Sequence, residues 1–225
     1  MITLLPPDKD HDAAMSRMFS DAATMKYLGF MVRHSEFTKG DAKARRLKRD
    51  KQQQQRKELL NYTIAIKKSQ IPAAARAKIE HREFLSRRKV STDRGAIEMD
   101  EPFLVIGCCG LNSIDLDNRC SAAGIILDAR FWRSGASTEA LYLTLKFGFE
   151  VLCLHRIAIE TTETNDAMRG WMENVVGVEV ECIRKEALYL GEDEYMDSWD
   201  YAIFDQQWYV SIERRLRERI EPMYF

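Results

Sequence analysis

The feature that most constrains the fold is a regular series of elements in the second half of the 225-residue chain. Residues 120–127 form a short apolar run that is typical of a strand, and residues 137–152 place apolar side chains at helical spacing. Residues 155–161 then read as another strand. A strand, a helix and a second strand in this order predict a βαβ-like crossover packed on a sheet. We therefore expect an α/β (α+β) fold.

Further strands are predicted on both sides of this unit. Residues 103–111 are nearly all apolar and indicate a central strand, and the short turn over residues 115–119 makes the strand at 120–127 its antiparallel neighbour. The remaining strands are expected at residues 2–5, 61–67, 178–188 and 198–204, and the remaining helices at residues 8–21, 22–28, 166–175 and 206–218.

Two charged segments interrupt the first half. Residues 38–59 indicate a basic, glutamine-rich helix, which Thr38 could cap and which we expect to project into solvent because it has few apolar residues. Residues 69–100 read as a charged insertion, with a helix over residues 72–88 and a polar surface tail over residues 91–100. We expect a single domain over residues 1–225 that carries both segments.

Composition narrows the class of protein. The formal net charge is −1 and 45% of the residues are hydrophobic, so the chain is expected to be globular and nucleic acid is not an expected partner. The basic residues of 39–57 keep that alternative open, but no aromatic side chains interleave with them. No run approaches the ~18 apolar residues of a membrane helix and no signal-peptide pattern occurs, so a cytoplasmic protein without membrane contact is expected. The five cysteines lack metal-ligand spacing, so we expect no metal, and core positions for them.

The loop over residues 133–138, Arg-Ser-Gly-Ala-Ser-Thr, is the first candidate site. It lies between a strand and the first turn of a helix, where free N–H groups and the helix dipole favour a phosphate. Small side chains let a pyrophosphate approach closely, and Arg133 can add a charge-assisted contact. The same pattern also fits an ordinary helix N-terminus, so the loop alone does not specify a ligand.

Residues 107–204 as a whole resemble the catalytic half of the GNAT N-acetyltransferases, above all the branch that contains the ribosomal-protein N-terminal alanine acetyltransferases. The resemblance implies the GNAT fold, in which a mixed, mostly antiparallel twisted sheet of six to seven strands is flanked by helices and splayed between the fourth and fifth strands. The matching residues follow one another in the family's order: Gly107, Asn112, Ile114, Asn118, Ala123, Gly124, Gly135, Thr138, Glu139, Ala140, Leu141, Asn165, Asp166, Ala167, Glu173, Asn174, Gly177, Tyr189, Leu190, Asp197 and Tyr201.

This resemblance implies acetyl-coenzyme A as cosubstrate, no metal, and a primary amine as acceptor, either a small molecule or a peptide N-terminus. The pantetheine arm would lie along the splayed strand, where Leu127 would place its N–H near the thioester carbonyl. A preorganised N–H there would stabilise the negative charge that develops on this oxygen. The residues implied to bind the coenzyme are Ile125, Ile126, Leu127, Arg133, Ser134, Gly135, Ala136, Ser137, Thr138, Asn165 and Arg169.

Catalytic residues are less well specified. Glu160 and Glu163, at the end of a strand, are candidates for the base that takes a proton from the amine, although a solvated pair explains them equally well. Tyr189 and Tyr201 are candidates for lining the acceptor pocket or donating a proton, although aromatic residues on strands are more often core.

A general acid cannot be assigned by motif. Met168 and Met172 stand where relatives often carry the Ser or Tyr that protonates the leaving thiolate. This departure keeps open the alternative of a catalytically weak protein of the same fold that binds coenzyme A or a partner. The identity of the acceptor, the oligomeric state and the roles of segments 38–59 and 69–100 do not follow from the sequence.

Overall fold

The structure is a computed structural model, which describes residues 2–31, 36–92 and 95–224. The helices that end at Lys146, Gly170 and Gln207 continue into π-helical turns at Phe147–Val151, Trp171–Val176 and Trp208–Ile212. The strands and helices are, in chain order, β1 (Ile2–Leu5), α1 (Asp12–Ser20), α2 (Lys39–Arg56), β2 (Leu59–Lys67), α3 (Ala73–Arg76), β3 (Arg88–Thr92), β4 (Gly95–Met99), β5 (Phe103–Asp115), β6 (Cys120–Leu127), α4 (Ala136–Lys146), β7 (Arg156–Thr162), α5 (Asp166–Gly170), β8 (Val180–Gly191), β9 (Glu194–Phe204), α6 (Asp205–Gln207) and α7 (Glu213–Ile220).

Seven strands form one sheet in the order β1-β2-β5-β6-β7-β9-β8. Every neighbouring pair in it is antiparallel except β6 and β7, which are parallel because α4 connects them by a crossover. The predicted mixed, mostly antiparallel sheet of six to seven strands is therefore confirmed. Among the described residues, strands β3 and β4 form a separate two-stranded antiparallel sheet.

Helices cover both faces of the sheet, which is why β5 is buried along most of its length. On one face, Leu145 of α4, Phe149 and Trp208 pack against Leu111. On the other face, Met18 of α1 packs against the N-terminal half of β5. The five cysteines do not all lie in this core as predicted, because Cys153 and Cys182 are exposed.

Helix α2 begins as predicted but is placed differently from the expectation. Thr38 is its N-cap and accepts a hydrogen bond from the N–H of Asp41 at 3.1 Å. The prediction that the helix projects into solvent is wrong, because α2 packs along α1 and β2. Arginine side chains provide the contact: Arg46 binds both carboxylate oxygens of Asp12 at 2.9 Å, and Ala42 is buried. Long arginine stems can cover apolar surface that a polar-looking sequence hides.

The insertion over residues 69–100 also differs from its prediction. The helix expected over residues 72–88 is wrong beyond the four residues of α3, and the expected polar tail contains the β3–β4 hairpin. Leu85 instead pairs with Phe103 through two backbone hydrogen bonds of 2.8 and 3.0 Å, and Met99 is buried against the sheet. These apolar residues occur without helical spacing, so periodicity did not reveal their burial. The helix predicted over residues 22–28 is likewise wrong, since this segment forms turns.

Candidate functional site

A cleft opens where β6 and β7 separate. The two strands are in register from Cys120–Arg156 to Ala122–Ala158, and no further pair follows, although β6 runs to Leu127. These are the fourth and fifth strands of the main sheet, so the predicted splay is confirmed. The cleft has a volume of about 390 Å³. Its described lining consists of Tyr27, Leu28, Phe30, Met31, Arg45, Arg49, Asn61, Cys108, Cys109, Gly110, Asn112, Ala123, Gly124, Ile125, Ile126, Leu141, Ile159, Glu160, Thr161, Thr162, Asn165, Met168 and Leu188.

The loop over residues 133–138 forms the N-terminus of α4. Gly135 is the N-cap with a φ of 88°, a backbone conformation that glycine adopts without the usual steric penalty. The N–H of Ala136 reaches Ser134 Oγ at 3.4 Å, whereas those of Ser137 and Thr138 have no hydrogen-bond partner within residues 2–31, 36–92 and 95–224. Free N–H groups at the positive end of a helix are suited to binding an anion.

An aromatic pair supports the end of β6 beside this loop. The Trp132 indole N–H donates to the carbonyl oxygen of Leu127 at 2.9 Å, and the ring stacks on Tyr27 with centroids 5.8 Å apart. Asp128, which follows Leu127 in the chain, is buried and accepts hydrogen bonds from Arg130 and Arg17. These contacts hold the last residue of β6 in place.

Asn165 lies at the opposite edge of the cleft and caps α5. Its Oδ1 accepts from the N–H of Met168 at 3.2 Å, and its Nδ2 donates to Thr161 Oγ1 at 2.9 Å. One helical turn further, the guanidinium of Arg169 lies 4.4 Å from the centre of the Trp199 ring and binds Asp166 at 2.9 Å. Of the residues predicted to bind coenzyme, Ile125, Ile126 and Asn165 line the cleft, and the 133–138 loop lies beyond its described lining.

The structure separates the two candidate carboxylates. Glu160 lines the cleft, and its Oε2 lies 2.7 Å from Nη2 of Arg184. Glu163 follows the end of β7, where its N–H donates to the carbonyl of Asp197 at 3.3 Å, and its exposed side chain is not part of the described lining.

The two tyrosines lie on the C-terminal strands. Tyr189 packs against Tyr195 with ring centroids 5.2 Å apart, outside the described lining of the cleft, although its neighbour Leu188 belongs to that lining. Tyr201 is fully buried, and its hydroxyl donates to Glu173 Oε1 at 2.7 Å. Burial and then the hydrogen bond to Glu173 raise the pKa of Tyr201.

Sequence reasoning missed the residues that α2 and β5 bring to the cleft. Arg49 Nη2 donates to Asn112 Oδ1 at 3.0 Å, and the guanidinium of Arg45 lies over the Phe19 ring and lines the cleft together with Cys108. A usable signal was present, because Ala42, Arg45 and Arg49 recur on one face of the helix at spacings of three and four residues. The thiol of Cys108 also faces this region, and burial raises its pKa although both arginines oppose the shift.

No group of three or more His, Cys, Asp or Glu side chains in the described part of the chain is arranged to hold a metal ion. Among the helices of residues 2–31, 36–92 and 95–224, none combines the length and the apolar composition that spanning a bilayer requires.

Comparisons with known proteins point to acetyltransferases. Residues 2–175 match the family model described as an acetyltransferase (GNAT) domain. Among curated proteins, the uncharacterized N-acetyltransferase p20 of Bacillus licheniformis is 34% identical over 73 residues, which are 32% of this chain and 41% of that protein. The match therefore spans less than half of the length of this relative.

Solved structures share the fold across almost the whole chain. A GCN5-related N-acetyltransferase from Brucella melitensis has a TM-score of 0.68 at 18% identity and covers 100% of this chain and 84% of its own. Spermidine N-acetyltransferase from Vibrio cholerae, in complex with CoA and spermine, has a TM-score of 0.64 at 14% identity, with 92% and 98% covered. The ribosomal L7/L12 α-N-protein acetyltransferase RimL, in complex with CoA, has a TM-score of 0.61 at 16% identity, with 90% and 93% covered. At these identities the likeness concerns the fold alone.

Proposed function

The chain belongs to the GNAT acetyltransferase family, and from this premise we propose that it transfers an acetyl group from acetyl-coenzyme A to a primary amine. The observation that carries the proposal is the separation of β6 and β7 beyond Ala122 and Ala158, which opens the cleft described above. The acceptor is a small amine or a protein N-terminus. Two structural neighbours are a spermidine N-acetyltransferase and a ribosomal-protein α-N-acetyltransferase, so the fold accommodates both kinds of acceptor.

The residues present fit coenzyme A. The free N–H groups of Ser137 and Thr138 and the turn at Gly135 suit a pyrophosphate, and the exposed Arg133 can add a positive charge. Ile125 and Ile126 offer the splayed edge of β6 to an extended arm. We assign Asn165, on the far side of the cleft, to the same arm, and Arg169 to the coenzyme as well.

The chemistry at the cleft requires a positioned amine and a proton acceptor. Bound acetyl-coenzyme A supplies an activated acetyl thioester. The amine nitrogen bonds to its carbonyl carbon, the C–S bond breaks, the amine loses a proton and the departing sulfur gains one. We assign Leu127 N–H to the carbonyl oxygen, with Trp132 holding Leu127 in place. Glu160 is the one carboxylate among the described residues that line the cleft. We assign to it the role of the base that accepts the proton from the amine, directly or through water.

Direct attack is favoured over a covalent acyl-cysteine route. Cys108 faces the cleft, but its raised pKa keeps the thiol protonated near neutral pH, and the thiolate is the reactive form. No histidine belongs to the described lining of the cleft, so a cysteine–histidine pair of the usual kind is not found among those residues. The proposal is therefore a ternary complex of protein, acetyl-coenzyme A and amine.

A second candidate function is coenzyme binding with little turnover. Met168 lines the cleft and Met172 is fully buried, at positions where a Ser or Tyr could otherwise protonate the departing sulfur. Such a protein would bind acetyl-coenzyme A through the same loop and cleft, but would release coenzyme A slowly with every acceptor.

A coenzyme-release assay separates these functions. Acetyl-coenzyme A is incubated with the protein and a panel of amino acids, peptides with free N-termini and polyamines, and free thiol is followed with time. Acceptor-dependent release, with the acetylated amine identified by mass spectrometry, is the expected result. Tight binding in calorimetry without release for any acceptor supports the second candidate, and the absence of binding contradicts both.

A further inference from the structure

The α2 side of the cleft carries positive charge that the described residues leave uncompensated. Three arginines of α2 face the sheet, and Arg46 is neutralised by its two-point contact with Asp12. Arg45 and Arg49 line both the main cleft and a small adjoining cavity of about 40 Å³. In the described ranges, neither of these two forms an ion pair with a carboxylate.

Arg49 has hydrogen-bonding capacity that remains unused. One of its terminal nitrogens donates to Asn112 Oδ1 at 3.0 Å, but its buried Nε has no partner among the described residues. Burial and then the nearby charge of Arg45 lower its pKa. An unpaired buried donor on a charged group is costly, and a bound anion would satisfy it.

Glu160, the one carboxylate among the described lining residues of the cleft, does not neutralise the positive charge of Arg45 and Arg49. Glu160 lies on β7 and is engaged by Arg184, which also binds Asp200 at 2.6 Å. A polycation in the cleft would therefore lie near two arginines, and the carboxylate of Glu160 is already paired with Arg184. An oxyanion would find two guanidinium groups, whose planar donor geometry matches carboxylate and phosphate.

The positions of Arg45 and Arg49 in the fold show where this positive charge lies along the cleft. Arg45 lines the cleft together with Cys108, which is the register partner of Ile126 on the splayed edge of β6. Arg49 contacts Asn112, whose register partner is Ala122, the residue at which the splay begins. Both guanidinium groups thus lie along the opening, on the face opposite Cys109, whose thiol accepts a hydrogen bond from Thr144 of α4.

We propose that Arg45 and Arg49 bind an oxyanion of the acceptor, so that the substrate is a primary amine that also carries a carboxylate or phosphate group, and not a polyamine. This inference rests on the proposed function, because it assigns the α2 side of the cleft to the acceptor. The phosphates of coenzyme A are the other source of an oxyanion, and the experiment distinguishes the two.

The test compares acceptors that differ in one charge. The pairs are an α-amino acid and its carboxamide, a short peptide with Glu at its second position and the same peptide with Gln, and phosphoethanolamine and ethanolamine, with spermidine as the polycation. Coenzyme release is measured for wild type, Arg49→Gln, Arg45→Gln and the control Lys48→Gln, which removes a charge from an exposed position of α2. Calorimetry gives the affinity of each variant for acetyl-coenzyme A.

The expected result is that at least one anionic acceptor has a kcat/KM about tenfold or more above that of its neutral partner. Arg49→Gln removes this preference, mainly through KM, and leaves the affinity for acetyl-coenzyme A within about twofold, whereas Lys48→Gln behaves as wild type. Turnover without preference for the anionic member, or a preference for spermidine, overturns the inference and leaves the proposed function intact. Weaker acetyl-coenzyme A binding in Arg49→Gln also overturns it, in favour of the coenzyme's phosphates. If acetyl-coenzyme A binds but no acceptor is turned over, it is the proposed function that fails.

Discussion

Ala122 of β6 and Ala158 of β7 form the last registered pair of the parallel ladder, and beyond them the two strands separate. The opening is thus a property of the backbone and does not depend on one large side chain being absent. Hydrogen bonding on the other side of β6 continues to Leu127 through its antiparallel partner β5, so the strand remains ordered while one edge is free. A free strand edge inside the molecule is available to pair with an extended ligand.

Filling this opening should slow turnover without unfolding the protein. A Cβ added at Gly124 meets nothing closer than Asn112 Nδ2 at 3.8 Å, and Gly124 lines the cleft. We expect Gly124→Trp to lower kcat/KM by about tenfold or more, and to change the free energy of unfolding by less than about 1 kcal/mol. Steady-state kinetics and urea unfolding measure the two quantities.

Gly110 provides the matched contrast. It also lines the cleft, but its Cβ would lie 1.9 Å from the carbonyl oxygen of Leu60. The much smaller change Gly110→Ala should therefore destabilise the fold, by about 1–3 kcal/mol or more. Full activity in Gly124→Trp, or unchanged stability in Gly110→Ala, would show that the cleft is shaped differently.

The two candidate carboxylates should behave differently when neutralised. Glu160→Gln is expected to lower kcat/KM by roughly 10²-fold or more, because Glu160 lines the cleft and a positioned base contributes about that factor. Arg184 keeps its contacts with Asp200, so the fold should persist. Glu163→Gln is the control, and it should keep kcat/KM within about threefold. Equal losses in the two variants would remove Glu160 from its assigned role.

Tyr201→Phe tests whether the Tyr201 hydroxyl donates a proton in the reaction or only stabilises the fold. The variant loses the hydrogen bond from the buried hydroxyl to Glu173, so we expect a loss of about 0.5–1.5 kcal/mol in the free energy of unfolding. With the hydroxyl buried and its pKa raised, kcat should change by less than about threefold. A tenfold loss of kcat at unchanged stability would instead support Tyr201 as a proton donor.

Stability should depend on His11 under mildly acidic conditions. Burial, and then the charge of Arg88, lower the pKa of His11 from 6.5 to about 4, although Asp8, Asp10 and Asp12 oppose the shift. Between these values the unfolded chain binds a proton that the folded protein does not, so stability falls as pH falls through this window. The full effect is about 3 kcal/mol. Urea unfolding at about pH 7 and about pH 4.5 should show a smaller difference between the two conditions for His11→Gln than for wild type; an unchanged difference would contradict the assignment.

The sequence allowed the second half of the fold to be predicted because its signals are local. The apolar runs of β5, β6 and β7 and the helical spacing of α4 are each contained within about a dozen residues, and they predicted these strands and the crossover helix. The splay between β6 and β7 was expected only from the resemblance to the GNAT family. Ile125, Ile126 and Asn165 were predicted through the resemblance to the GNAT family. For these residues the local sequence pattern indicates the element on which each one lies, and the resemblance supplies the expected contact with the coenzyme.

The α2 side of the site was missed because its partners are distant in sequence. Arg46 is 34 residues from Asp12, and Arg49 is 63 residues from Asn112. A helix held to a sheet by guanidinium contacts has no apolar stripe, so its sequence resembles that of a solvated helix. The structure of the insertion was predicted wrongly for a related reason: Leu85 is partly buried and Met99 is buried, at positions that no simple period connects.

Calorimetric titration of acetyl-coenzyme A measures whether the loop and the cleft bind the coenzyme. Gly135 holds the loop with a φ of 88°, a conformation that costs a residue with a Cβ about 1–2 kcal/mol. Gly135→Ala should therefore weaken binding about tenfold, whereas Gly191→Ala, at a φ of 110° in the distant β8–β9 turn with open space around its Cβ, should bind as wild type. Measurable binding by wild type that weakens in Gly135→Ala alone is the predicted result. Absence of binding by wild type, or equal affinity in all three proteins, would contradict the assignment of this loop and cleft to the coenzyme.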